Sequence, residues 1–351
     1  MKVGLLGYSQ SGRSTLFRAA AGADARGDVI AVPVPDPRFD RIVEQVKPKK
    51  ATPASVIFHD DLEAVQFSGK AFSLRLLESA RKVDLLLHVV RAFESDHAPF
   101  PVEIDPIRDQ EAVEVETILA DLQIVETRLE KLTRSQTARN PGSPDYLERV
   151  FFERVRGPLE AGEPLRALEM DENEQSICRN YQFLSSKPTV VVFNVSESEA
   201  SAPPARLADR MAALSAKGTP AFAVCARIEE EIAQLDPADQ PEFLESLGLA
   251  EPAADRVIRA VYEAMGLITF FTAGENETRA WPLRRGSSAL KAAATIHNDI
   301  AKGFIRAEVT HWEDYVAYGS LDAAEKAGKM TLEGRDYVVR DGDLLHIRNK
   351  S

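Results

Sequence analysis

Five apolar, largely β-branched runs punctuate the first 230 positions: KVGLLG (2–7), ASVIFHD (54–60), DLLLHVVRAF (84–93), TVVVFNV (189–195) and AFAVCAR (221–227). Helix-like stretches separate them. Continuous apolar strands alternating with helices predict a parallel sheet covered on both faces. Between the third and fourth runs the pattern changes. Val115, Ile118, Leu122, Val125, Leu129 and Leu132 follow a 3-4-3-4-3 spacing, which sets all six on one seam of a helix. The NPGSP turn (140–144) ends that helix, and Leu147, Phe151, Val155 and Leu159 recur at i+4 steps in a second one. Two arrangements fit: an antiparallel hairpin projecting from the sheet domain, or two core helices. The acidic outer positions favour the hairpin. After Gly266 the runs LITFFTAG, RAWPLRRG, SSALKAAATIHNDIAKG and EGRDYVVRDGDLLHIRN predict a compact α+β domain, its last two strands joined by a turn at Asp341-Gly342.

Charge sharpens this division. The 351 residues carry a formal charge of −12, with 55 acidic against 43 basic residues. Residues 103–185 hold 18 Asp and Glu against 10 Lys and Arg, whereas residues 267–351 balance at 12 and 12. An acidic chain is a poor non-specific binder of nucleic acid, because it lacks the cations that displace phosphate counterions. The neutral C-terminal part can still present a local basic patch, for which Arg284 and Arg285 are candidates; Lys47, Lys49 and Lys50 form another basic cluster. No apolar run reaches the twenty or so residues of a membrane span, and no signal-like segment opens the chain, so a cytoplasmic protein with no membrane partner is expected. Cys178 and Cys225 are far apart and predict buried thiols, not a disulfide or zinc site. Histidines 59, 88, 97, 297, 311 and 346 show no metal-ligand spacing; His59 beside Asp60 is better read as a strand-end residue than as a base.

The candidate chemistry sits at the first strand-to-helix turn. GYSQSGRST (7–15) matches the phosphate-binding loop G-x-x-x-x-G-K-[ST] except that Arg13 stands at the lysine position. In such a loop glycines let the backbone approach phosphate, successive amides converge on it, and the helix N-terminus adds positive potential. Gly7, Gln10, Ser11, Gly12, Arg13, Ser14 and Thr15 are therefore the candidate phosphate-binding residues. Arg13 keeps the charge of lysine but not its point-like shape, and is at most a weak candidate for meeting transition-state charge.

FNVSE (193–197) follows the fourth strand where translation-factor-type GTPases carry N-K-x-D. Asn194 is in place, and Glu197 stands where the aspartate would be. This form, with VPVPDPRFDRIVEQVKPKK (32–50), HVVRAFE (88–94), SLGLAEPAADRVIRAVYEAMGLITFFTAGENETRAWPLRRG (246–286), IHNDIAKGFIRAEV (296–309) and EKAGKMTLEGRDYVVRDGD (325–343), resembles the YchF/Obg-like ATPase family over nearly the whole chain. The resemblance implies an α/β P-loop NTPase domain of the Obg type (1–102 and 186–265), an inserted antiparallel helical hairpin (103–185) and a C-terminal TGS domain with a ubiquitin-like β-grasp fold (266–351). It implies an adenine nucleotide, with GTP less favoured, beside Asn194 and Glu197, Mg²⁺ on Ser14 with Asp60 behind it, and a ribosome or RNA contact through the TGS domain.

Departures from the family pattern cluster around the γ-phosphate. Arg13 replaces lysine, about ten residues (21–30) fill the space of the first switch, and Glu63 takes the place of the D-x-x-G glycine after Asp60. The following glycine-rich loop shrinks to VQFSGKAF (65–72). The expected function is nucleotide binding with weak or lost ATP hydrolysis, acting in translation; the alternative is a nucleotide-independent scaffold that binds the ribosome or a protein through the hairpin and TGS domain.

Overall fold

The computed structural model describes residues 1–22, 26–66, 71–96 and 98–350. His97, part of the short stretch 21–30 and part of the loop 65–72 lie outside them. The chain divides into two compact units: residues 1–30 with 57–257, and residues 31–56 with 258–351.

The first unit is built on a sheet of order β2-β4-β1-β5-β6-β7, formed by β1 (Lys2–Leu6), β2 (Val29–Pro33), β4 (Ser55–His59), β5 (Leu85–Ala92), β6 (Thr189–Val195) and β7 (Ala221–Val224). Each of the five apolar runs supplies a strand. β1 lies parallel to both β4 and β5, and β5–β6 and β6–β7 are parallel as well. β5 and β6 are almost wholly buried, as expected of central strands covered on two faces. α1 (Arg13–Ala21), α3 (Leu74–Arg81), α7 (Ala205–Ala216), α8 (Ala226–Gln234) and α9 (Gln240–Ser246) belong to this unit, and α10 (Ala253–Ala264) begins in it. β2 carries the chain across the unit boundary; it is not among the apolar runs of the sequence, because an edge strand with one buried residue leaves a weak apolar signal.

The inserted segment forms α4 (Pro106–Arg134), α5 (Pro144–Glu160) and α6 (Glu172–Tyr181). Asp105 caps α4 and Ser143 caps α5, each followed by a proline in the first turn where no amide is needed. Ile118, Val125 and Leu132 of α4 share a separate apolar cluster with Phe151, Phe152, Val155, Leu159, Cys178 and Phe183. Two predicted seam residues depart from expectation: Val115 and Leu147 are exposed. For Val115 the reason is length; nothing in the structure explains Leu147. α4 has 29 residues and α5 has 17, so at about 1.5 Å per residue α5 is too short to cover all of α4. The N-terminal part of α4 turns instead to the sheet, where Val113 packs with Leu6, Leu86 and Leu184.

The second unit holds α2 (Pro37–Val46), β3 (Ala51–Thr52), β8 (Leu267–Thr272), β9 (Thr278–Arg284), α11 (Ala289–Ile296), α12 (Asn298–Lys302), β10 (Phe304–His311), α13 (Trp312–Tyr318), α14 (Leu321–Lys326), β11 (Thr331–Glu333) and β12 (Asp343–Asn349). Its sheet order, β11-β10-β12-β8-β9-β3, is a β-grasp extended at one edge by β3. The β8–β9 hairpin is antiparallel, and β12 returns parallel to β8. Asp341-Gly342 does not join two paired strands, contrary to the sequence pattern. β11 lies further back and pairs with β10, and residues 335–340 make a single bridge, Val338 to Ser288. The Asp341 carboxylate is engaged by the Thr269 amide and Arg38, and the Gly342 amide donates to the Thr269 carbonyl, so this corner anchors β12 to β8. Gly342 is at φ 93°, a conformation suited to glycine.

Candidate nucleotide site

The turn after β1 leaves the sheet through two backbone bonds to the segment behind β4: the Val65 amide donates to the Gly7 carbonyl and the Ser9 amide to Val65. Glycine is obligatory at both ends of the loop for different reasons. A Cβ on Gly7 would lie 2.4 Å from the Val89 carbonyl oxygen of β5. One on Gly12 would lie 2.0 Å from Asn194 Nδ2, and Gly12 also has φ +87°. At the start of α1 the amides of Gly12, Arg13, Ser14 and Thr15 make no hydrogen bond among the described residues, while Leu16 begins the helix ladder by donating to the Gly12 carbonyl. Such unspent N–H groups at a nine-residue helix's N-terminus offer an anion a cradle of donors with favourable potential.

Asn194, at the end of β6, braces this cradle. Its amide nitrogen donates to the Ser11 carbonyl (3.0 Å) and its oxygen accepts from the Ala226 amide (3.0 Å) at the start of α8. With the residue 4% exposed, both polar atoms of the side chain are spent on protein backbone. Asn194 thus locks the loop to the end of β6 and the start of α8. Glu197 behaves differently: its carboxylate is exposed and lies 3.3 Å from the still more exposed Arg227 guanidinium.

A second brace escaped the sequence analysis. Arg91 of β5 is 2% exposed and donates to the carbonyls of Gln10 (3.1 Å) and Phe93 (3.0 Å) while stacking on the rings of Phe93 and Phe100. Gln10 has φ +62°, a strained setting for a non-glycine residue, and Arg91 holds its carbonyl there. Desolvation pulls the guanidinium's pKa down, and the neighbouring Glu94 opposes that. The signal was available in the sequence as one charge inside an otherwise apolar strand.

Arg13 is anchored on Asp60. Its Nε lies 2.8 Å from Asp60 Oδ1, with both side chains largely buried, and Nη1 approaches the Leu5 and Glu63 carbonyls at 3.5 Å. The Glu63 carboxylate, expected to crowd an incoming anion, instead accepts a hydrogen bond from Ser73 Oγ at the N-terminus of α3. His59 pairs with Asp61 (3.2 Å). P-loop ATPases and GTPases generally use Mg²⁺, held here by Ser14 and Asp60 if the family pattern applied. The Ser14 hydroxyl is exposed in the first turn of α1, but the Asp60 carboxylate is neutralised by a guanidinium at salt-bridge distance. Asp60 Oδ1 is buried and accepts no hydrogen bond of regular geometry among the described residues, its one charged neighbour being Arg13. A donor set of one neutral hydroxyl and one carboxylate already paired with a cation does not fit a resident magnesium ion.

Comparison with known proteins agrees with this architecture. The family profile YchF-GTPase_C, described as a protein of unknown function (DUF933), matches residues 267–350. The chain is 39% identical to the ribosome-binding ATPase YchF of Haemophilus influenzae over 99% of this chain and 98% of that one. It is 37% identical to the protein of the same name from Bacillus subtilis, over 99% of both chains. Among solved structures, the Schizosaccharomyces pombe YchF GTPase superposes with a TM-score of 0.88 at 29% identity, covering 99% of this chain and 97% of that one. A GTP-binding protein from Pyrococcus horikoshii shares the fold at a TM-score of 0.61 and 19% identity, over the full length of both. With a P-loop turn, an N-x-x-E segment after β6, an inserted helical segment and a β-grasp sheet all in place, and with such relatives along its full length, the chain belongs to the YchF family.

Proposed function

We propose that this protein binds a nucleotide on the loop formed by Gly7, Gln10, Ser11, Gly12, Arg13, Ser14 and Thr15, and acts in the cytoplasm at the ribosome, which its relatives are named for binding. The observation that carries this reading is the set of unspent amides at residues 12–15, fixed from behind by Asn194. Unpaired N–H groups at a helix start, behind a glycine-bounded loop, favour an anion. Adenine over guanine is proposed from the N-x-x-E form, with Glu197 at the surface beyond β6 as the base-reading carboxylate.

Hydrolysis is proposed to be slow or absent. Arg13 is committed to Asp60, so it is not free to follow charge onto the γ-phosphate as the reaction proceeds. Glu63 replaces a glycine whose lack of a side chain lets backbone approach the γ-phosphate. Contact with ribosomal RNA is assigned to Arg284 and Arg285, both exposed at the end of β9. Lys49 and Lys50 are less available, being engaged by Asn276 and Glu277.

Calorimetric titration of nucleotide-free protein with ATP, ADP and GTP tests the reading. Saturable binding with ATP tighter than GTP, and little phosphate release, is the expected result. Absence of binding to any of the three would leave the nucleotide-independent scaffold as the surviving account.

A further inference from the structure

The Arg13–Asp60 pair has a consequence for how phosphate is neutralised, given the nucleotide-binding reading above. A divalent ion in a P-loop site bridges two negative groups, the protein carboxylate and the phosphate oxygens. Here the carboxylate already carries a cation. Arg13 begins α1, so its guanidinium is anchored in the same turn as the unspent amides, and it meets Asp60 through Nε at 2.8 Å. The contacts described for Arg13 use Nε and Nη1; guanidinium has five N–H donors in a planar fork, and the second Nη nitrogen adds two of them. One side chain can thus hold the carboxylate and donate to a phosphate oxygen together. A metal ion competing for Asp60 would have to displace a partly buried salt bridge, and would then face an unpaired guanidinium beside its own positive charge.

From this geometry we infer that the protein binds its nucleotide without a divalent cation, the Arg13 guanidinium standing on Asp60 in the ion's place. Arg13 is thereby the residue that sets metal dependence. Asp60 serves to position Arg13 and does not coordinate a metal.

The test is calorimetric titration of the full-length protein with ATP and with ADP, in excess MgCl2 and again in excess EDTA. The expected Kd values in the two buffers agree within about threefold. Arg13→Lys replaces the fork with a point charge that is free to approach phosphate and releases Asp60, so its affinity is expected to fall about tenfold or more on moving from Mg²⁺ to EDTA. Asp60→Asn removes a negative charge next to the bound anion and is expected to bind in EDTA as well as wild type or better, its fold checked by thermal denaturation. Manganese electron paramagnetic resonance gives an independent readout: the wild-type complex with ADP should retain no more Mn²⁺ than ADP alone, and the Arg13→Lys complex should retain more. A wild-type protein that binds ATP at least about tenfold more weakly in EDTA, or whose ADP complex sequesters Mn²⁺, overturns the inference and leaves the nucleotide-binding reading standing. Failure to bind in either buffer overturns both.

Discussion

Replacing Asn194 by alanine removes two hydrogen bonds from a junction with almost no access to water. The Ser11 carbonyl and the Ala226 amide, each 3.0 Å from the side chain, would lose their partner inside the first unit. A buried backbone group left unsatisfied costs about 1–3 kcal/mol, so the pair sums to about 2–6 kcal/mol, with about 3 kcal/mol a central value once the loop relaxes toward water. For a unit of this size that corresponds to a fall of about 6–12 °C in the melting temperature of the first unit. The loop amides also lose their fixed spacing. Affinity for ATP, ADP, GTP and inorganic pyrophosphate should therefore drop by one common factor, since what is damaged is the cradle and not the base contact. Glu197→Ala is the matched control: its exposed pair with Arg227 is worth about 0–1 kcal/mol, so stability should hold while the ratio of ATP to GTP affinity moves. Differential scanning fluorimetry and calorimetric titration measure both quantities. A melting temperature within about one degree of wild type, or a loss confined to one base, would refute the reasoning that Asn194 acts mainly by bracing the loop.

Gly12→Ala combines the strain of a positive φ with a Cβ 2.0 Å from Asn194 Nδ2, and should cost at least about 2 kcal/mol and abolish nucleotide binding; unimpaired titration would show that the loop can move aside. Arg91→Met orphans the Gln10 and Phe93 carbonyls and should weaken nucleotide binding several-fold with a melting loss of a few degrees. His88, buried in β5, has its pKa pushed down by desolvation to about 3. The unfolded chain therefore binds a proton there between about pH 6.5 and 3 that the folded chain does not, and stability falls as pH drops through that window at about 1.4 kcal/mol per unit. Asp121, raised by burial to about 6, opposes it: the folded chain holds the extra proton between about pH 3.8 and 6, so its contribution is lost as pH rises. Urea unfolding of His88→Leu against wild type across pH 4–6.5 should show the variant gaining relative stability toward acid; parallel curves would remove His88 from the account.

Much of this protein is written in local pattern. Apolar runs bounded by turn residues locate β1, β4, β5 and β6 because an inner parallel strand must be apolar on both faces, and no longer-range information is needed for that; β7 lies at the edge of the sheet and is marked by its run all the same. Asp105-Pro106 and Ser143-Pro144 mark the starts of α4 and α5 by cap chemistry alone. The loop glycines were legible for a similar reason: a backbone that approaches an anion cannot carry side chains at those places.

What tertiary structure decided was the destination of each long polar side chain. Arg13 is a phosphate ligand by its place in the motif and an Asp60 partner by its position in space; Glu63 reads as a charge facing the anion and lies bonded to Ser73. Asn194 reads as a base contact and is spent on Ser11 and Ala226, residues 183 and 32 positions away. Residues 31–56 likewise join residues 258–351 in one unit, through pairings such as β3 with β9. Sequence period fixes which face of an element is apolar, because that depends on neighbours three or four residues along. The partner of a buried charge is fixed by whichever distant group can satisfy it most cheaply once water is excluded, and only the assembled fold brings that group within reach.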